Sequence, residues 1–136
     1  MARHVFLCPL RWSDMDAYGH VNNVVYLRYL EEARVDMLFV HAPTQGASRL
    51  AEGVVVAKHE IEYLKPLRFR PEPIRVETWV TRVENASFRL AYEVRDPDVV
   101  YARAASVMVP YDLVENRPRR LLPEERKVLE TFLEAA

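Results

Sequence analysis

The spacing of apolar positions changes several times along the chain, and each change marks an element. Val5 to Leu10 is a short apolar run carrying Pro9, which suits an edge or terminal strand because proline donates no ladder hydrogen bond. A polar turn follows from Trp12 to Asn22. From Asn23 to about His41 the period becomes helical. Leu27, Leu30, Ala33 or Arg34, and Met37 with Leu38 share one face, while Arg28, Glu31, Glu32 and Asp36 fall mostly elsewhere. Asn22 stands where an N-cap is needed, its side chain able to accept from the first free amides. Ala42 to Gly53, with Pro43 and Gly46, reads as a loop holding a helical turn near Leu50.

After Gly53 the period falls to two. Val54 to Leu64 predicts a long strand, with Lys58, Glu60 and Glu62 opposed by His59, Ile61 and Tyr63. Pro66, Pro71 and Pro73 bracket a connection. Ile74, Val76, Thr78 and Val80 mark the next strand; Phe88, Leu90, Tyr92 and Val94 mark another, with a turn near Glu84-Asn85. After the turn signal Asp96-Pro97-Asp98 comes Val99 to Val109, whose face of Val100, Ala102, Ala104, Ser106 and Met108 is small enough to pack closely on a helix. Pro123 before Glu124 and Glu125 opens a last helix, with Leu122, Val128, Leu129, Phe132 and Leu133 for its apolar side. Strand, long helix, then four strands joined mostly by short turns predict an α+β fold. Its antiparallel sheet of about five strands curves around the helix, and a C-terminal helix completes a single domain over residues 1–136.

Composition narrows the function classes more than it shapes the fold. The 136 residues are half apolar with a net charge of −1, so no long-range field gathers nucleic acid or an anionic membrane. No apolar run approaches the roughly 20 residues that cross a bilayer, and Met1 to Leu10 lacks a signal-peptide pattern. One cysteine, Cys8, excludes an intrachain disulfide, and a cytoplasmic location is expected. The histidines (His4, His20, His41, His59) and Cys8 show no metal-ligand spacing, so no metal is expected.

The chemistry concentrates in Asp14-Met15-Asp16-Ala17-Tyr18-Gly19-His20-Val21-Asn22-Asn23, which runs straight into the long helix. Such a turn can hold a carboxylate beside the free N–H groups and positive dipole end of a helix. A carboxylate facing a polarised carbonyl is minimal equipment for acyl transfer to water. Lys58, Lys65, Arg68 and Arg70 form a basic group around the second strand and its exit, suited to phosphate or simply to solvent. Ser87 serves either a phosphate or pantetheine group or its own turn.

Asp14-x-Asp16-x-x-Gly19-His20-Val21-Asn22-Asn23-x-x-Tyr26, followed by Leu30-Glu31-Glu32-Ala33-Arg34, resembles the signature of the hotdog-fold acyl-CoA thioesterases, in particular the 4-hydroxybenzoyl-CoA thioesterase-like group. Ile61-Glu62-Tyr63-Leu64-Lys65-Pro66 is similar to the family's second strand, and Asn85-Ala86-Ser87-Phe88 to its hairpin, without the glycine often found before the serine. The resemblance implies a hotdog fold and an acyl-CoA thioesterase in which Asp16 is the catalytic carboxylate, as nucleophile or general base. It also implies that a backbone amide at or next to Asn23 binds the thioester oxygen, and that coenzyme A enters as part of the substrate, with no separate cofactor. It further implies a homodimer or homotetramer with the active site at the subunit interface.

Around Asp16, His20 either orients the thioester or is held as a loop residue, and Asp14 is expected to be structural. Gly19 lets the backbone take a positive φ or approach the ligand, Asn22 and Asn23 cap the helix or meet the substrate, and Tyr26 lines the pocket or subunit boundary. Lys58, Lys65, Arg68 and Ser87 complete the expected substrate-binding set. A non-catalytic acyl-CoA binding module and an acyl-carrier-protein thioesterase are the alternatives. The aspartate–histidine spacing of four residues found in hotdog dehydratases is absent, since Asp16 and His20 enclose three residues and Asp14 and His20 five.

Overall fold

Residues 3–134 are described by the structure, a computed structural model. Met1, Ala2, Ala135 and Ala136, the ends of the expected domain, lie outside the described residues. The sheet runs in the order β1-β3-β4-β5-β2, entirely antiparallel, with β1 at His4–Cys8, β2 at Val54–Tyr63, β3 at Ile74–Val83, β4 at Phe88–Arg95 and β5 at Val100–Asp112. A two-residue β6, Arg117–Pro118, pairs with the end of β5 and has no counterpart in the sequence reading. The sheet curls around the long helix, with the C-terminal helix at Pro123–Glu130, and the result is a hotdog fold.

Alternation in β3 and β4 sets the curl. Ile74, Val76, Thr78 and Val80 are buried on β3, and Phe88, Leu90, Tyr92 and Val94 on β4, all on one face. Each large apolar side chain removed from water in this way contributes roughly 1.5–3 kcal/mol. On β5 the inward Ala102 and Ser106 are small, which lets the helix settle close to the sheet.

The long helix begins at Asn23, capped as expected by the Asn22 side chain, which accepts from the Val24 N–H at 3.0 Å. It passes through Val35 into a π-helical turn at Asp36–His41 and ends at Ala42–Thr44, three residues beyond the expected stop. The expected buried face needs one correction. Leu27 is 39% exposed, and the helix instead buries Tyr26, Tyr29, Leu30, Ala33, Arg34, Met37 and Leu38. The aromatic rings, larger than leucine, take the core side of the first two turns. Arg28 keeps a partly exposed side chain on the wetter side while its guanidinium reaches back to Asp14.

Gly53 opens β2 where the chain presses on β5. A Cβ there would lie 2.4 Å from the Tyr111 carbonyl oxygen, so no larger residue fits without movement. At the other end of the chain, Glu124 and Glu125 stand in the first turn of the last helix, as expected. Glu125 is in addition fully buried, gripped by the two terminal guanidinium nitrogens of Arg119 at 2.8 Å each, and accepts from the Leu122 N–H at 2.7 Å.

Breaking a buried pair from one side leaves the other charge stranded, at a cost of about 3 kcal/mol or more. Arg119→Met is therefore expected to lose at least that much in urea denaturation, and Arg119→Met with Glu125→Met to recover most of it. A double variant no more stable than the single would refute this account of the pair.

Candidate active site

The turn before the helix is built on Asp14. Its carboxylate is 1% exposed, accepts from the Tyr29 hydroxyl at 2.6 Å and from the Arg11 N–H at 3.0 Å, and is bonded by Arg28. Burial by itself would raise its pKa. The Tyr29 and Arg28 hydrogen bonds, with the Arg11 amide, outweigh that and hold the carboxyl below its ordinary range. Asp14 thus ties the turn to the second turn of the helix and has no face left for a ligand.

Asp16 sits two residues further on, on the opposite side of this anchor. Its Oδ1 accepts from the Tyr18 N–H at 2.9 Å and the His20 N–H at 3.4 Å, while its own N–H donates to the His20 carbonyl at 2.8 Å. Among the described residues Oδ2 takes no hydrogen bond. Gly19 closes the loop at φ +78, a left-handed conformation that other residues adopt at a cost, and its N–H donates to the Asp16 carbonyl at 3.1 Å. The Val21 N–H donates to the Leu67 carbonyl at 2.8 Å, which fastens the loop to the segment leaving β2.

Asp16, His20, Asn23 and Tyr26 line one cavity of about 260 Å³, closed on its other side by Tyr63, Leu64, Lys65 and Pro66. The Asn23 N–H, at the first helical position, has no intrahelical acceptor by the geometry of a helix start. Tyr63 donates its hydroxyl to the Asn23 carbonyl at 2.9 Å and meets the Tyr26 ring edge-on, the centroids 5.3 Å apart. Burial, and then the neighbouring Tyr63 and Tyr101, push the Tyr26 phenol up to about 12, so it remains a protonated donor. The sequence marks Tyr63 as a strand residue and Pro66 as the strand's exit, with no site role for either. Their signal was adjacency to Lys65, but nothing along the chain reports that the strand end lies over the helix start.

The cavity brings together five of the expected residues: Asp16, His20, Asn23, Tyr26 and Lys65. Gly19 and Asn22 shape its loop and helix start from behind. Lys58 lies on the outer face of the sheet, paired with Glu60 at 3.0 Å. Arg68 is exposed beyond the cavity, and Arg70 is held bidentately by Asp96 at 2.6 Å. Ser87 sits in the β3–β4 turn, where its carbonyl accepts from the Glu84 N–H at 2.8 Å. The expected basic group is thus dispersed over three places.

Cys8 lies in the core, where burial, then the neighbouring Glu32, push its thiol up to about 12. Among the described residues, no three His, Cys, Asp or Glu side chains gather as a metal-holding group, and no helix is long and apolar enough to cross a membrane.

A family model of the thioesterase-like superfamily matches residues 10–132. The acyl-CoA thioester hydrolase YbgC of Escherichia coli is 30% identical over 122 residues, covering 86% of this chain and 90% of the relative. Among solved structures, the PA2801 protein of Pseudomonas aeruginosa is 34% identical with a TM-score of 0.78, covering 91% of this chain and 95% of the other. A thioesterase of Thermus thermophilus, complexed with coenzyme A and Zn, is 26% identical with a TM-score of 0.78, covering 94% of this chain and 92% of the other. A predicted thioesterase from Bacillus stearothermophilus shares the fold over 99% of both chains, with a TM-score of 0.86 at 23% identity.

A depressed carboxyl pKa stabilises the fold at every pH above the unfolded value near 4, and that contribution is lost as pH falls through the folded value. Asp14→Asn is therefore expected to be less stable at pH 7 and to lose less on acidification below pH 4 than the parent. Thermal melts from pH 7 to pH 3 test this, and parallel pH curves for the two proteins would contradict it.

Proposed function

Because this chain belongs to the thioesterase-like superfamily and is a thioester hydrolase, we propose that it hydrolyses acyl-CoA thioesters with Asp16 as the catalytic carboxylate. The observation that carries the reading is that Asp16 and the first residue of the long helix open into one cavity. A thioester carbonyl seated there receives the Asn23 N–H and the positive end of the helix dipole. Asp16 Oδ2 then either attacks the carbonyl carbon, expelling the thiolate and leaving a mixed anhydride for water to open, or takes a proton from a water that attacks and expels the thiolate, while Oδ1 stays on the loop amides. His20, on the same wall, orients the thioester. Tyr26 bounds the pocket, and Gly19 and Asn22 fix the backbone that presents these groups.

Coenzyme A as the carrier is supported by the name of the Escherichia coli relative and by the coenzyme A complex of the Thermus protein. Lys65, at the cavity wall, is the cation nearest to hand for its phosphates. Lys58, Arg68 and Ser87 serve the carrier only along the outer surface, beyond this cavity. A cytoplasmic setting, with no metal and no cofactor beyond the substrate's own coenzyme A, belongs to the same proposal.

The functional unit is a homodimer or homotetramer. β2 is an edge strand of ten residues, most of them exposed, and an open edge of that length invites a second copy. Two-fold antiparallel pairing of β2 sets the Tyr63 end of one protomer beside the Val54 end of the other, so the cavity at Tyr63 gains a wall from its partner. Light scattering should return two or four times 15.9 kDa, and a monomer at working concentration would exclude this assembly.

Thiol release from benzoyl, short-chain and long-chain acyl-CoAs, with the parent beside Asp16→Asn, tests the chemistry. The variant should fold and assemble normally and lose hydrolysis by two or more orders of magnitude. Full activity in Asp16→Asn would remove Asp16 from the mechanism.

A further inference from the structure

Away from Asp16, the concave side of the molecule holds a largely buried cation that forms no ion pair among the described residues. It is Arg34, on the long helix and 8% exposed. Its one hydrogen bond is long, 3.4 Å from Nη1 to the Tyr92 hydroxyl. Tyr92 lies 2.8 Å from Ser106 Oγ, and Ser106 Oγ lies 2.7 Å from His59 Nδ1. A guanidinium has only donors, so Tyr92 accepts from Arg34 and turns its own hydroxyl proton to Ser106. Burial, then the Arg34 charge, lowers the His59 pKa.

Of this run, Arg34 borders a cavity of about 190 Å³ between the long helix and β2, walled by Leu38, Val54, Val56 and Met108, with Glu31 also at its polar side. Glu31, one turn earlier, is exposed and unpaired with Arg34. The cavity opens on the same seam as the Asp16 site. Asn23 and Tyr63 mark one end, Arg34 and Val56 the other, and His59 stands between them on β2. His59 and Tyr63 are four residue steps apart along the strand, on the order of 13 Å.

A buried guanidinium without a counter-ion is costly, so a ligand that brings one is strongly favoured there. We infer that this slot is an acyl subsite and that Arg34 selects acyl groups ending in a carboxylate, so that the preferred substrates are mono-thioesters of medium-length dicarboxylic acids. The walls take the methylene chain and Arg34 takes the far carboxylate. The inference rests on the acyl-CoA reading, but on no particular role for Asp16.

The test compares suberyl-CoA with octanoyl-CoA, which differ only in the terminal group. The parent should favour suberyl-CoA in kcat/KM by about tenfold or more, the worth of one hydrogen-bonded charge. Arg34→Met should abolish or reverse that ratio while hydrolysing octanoyl-CoA. Should Arg34→Met not fold, Arg34→Lys must keep a reduced preference and Tyr92→Phe must weaken it. Calorimetric binding of the two thioesters to Asp16→Asn should give the same order without turnover. Equal rates for the two substrates in the parent, or a preference that survives Arg34→Met, would overturn the inference. Turnover by Asp16→Asn would instead count against the mechanism and leave the suberyl-to-octanoyl ratio in the parent to decide this question.

Discussion

Asp14 has to remain ionised while almost no water reaches it, and three donors drawn from two elements make that possible. The Arg11 amide comes from the segment after β1, and Tyr29 and Arg28 come from the second turn of the long helix. Once they converge, the intervening residues have little choice of path. The Asn22 N–H donates to the Asp14 carbonyl at 2.9 Å, Asn22 caps the helix, and Asp16 is turned outward onto the amides of its own loop. The carboxylate proposed for chemistry is thus positioned by one that performs none.

This division of labour explains what could be read beforehand and what could not. The strands were legible because β3 and β4 alternate cleanly, and an alternating strand has only one way to face a core. The helix start was legible because Asn22 precedes a helical period. Its buried face was not, since Leu27 and Tyr26 are adjacent and apolarity alone does not say which one the core has room for. The place of Glu125 in the first helical turn was legible, but its burial was not, because its partner, Arg119, lies on a separate segment. Within the site, the loop was legible as a motif, whereas the lid formed by Tyr63 and Pro66 depends on where β2 ends in space. The places of the basic residues were hidden for the same reason. Lys58 and Lys65 are close in sequence, yet strand alternation and the strand's end send them to different surfaces.

One seam organises the concave side. The long helix covers β3, β4 and the inner face of β5, and leaves β2 uncovered. Along that uncovered strip lie the Asp16 cavity and the slot beside Arg34. The Tyr63 hydroxyl bond to the Asn23 carbonyl joins the two walls at one end, and the hydrogen-bonded run from Arg34 to His59 joins them further along. Polar groups that bridge a sheet and a helix in this way define a fixed gap, which apolar packing alone would tend to close.

The state of Cys8 acquires meaning from the reaction. Hydrolysis of a coenzyme A thioester liberates a thiol at every turnover, and thiols in a cell pass readily into disulfides. A protein cysteine joins that exchange only as a thiolate and only where a partner can reach it. The sole cysteine here is enclosed by the core, with its thiol pushed up to about 12. In the proposed reaction the chain therefore offers the released thiol no accessible thiolate with which to form a mixed disulfide.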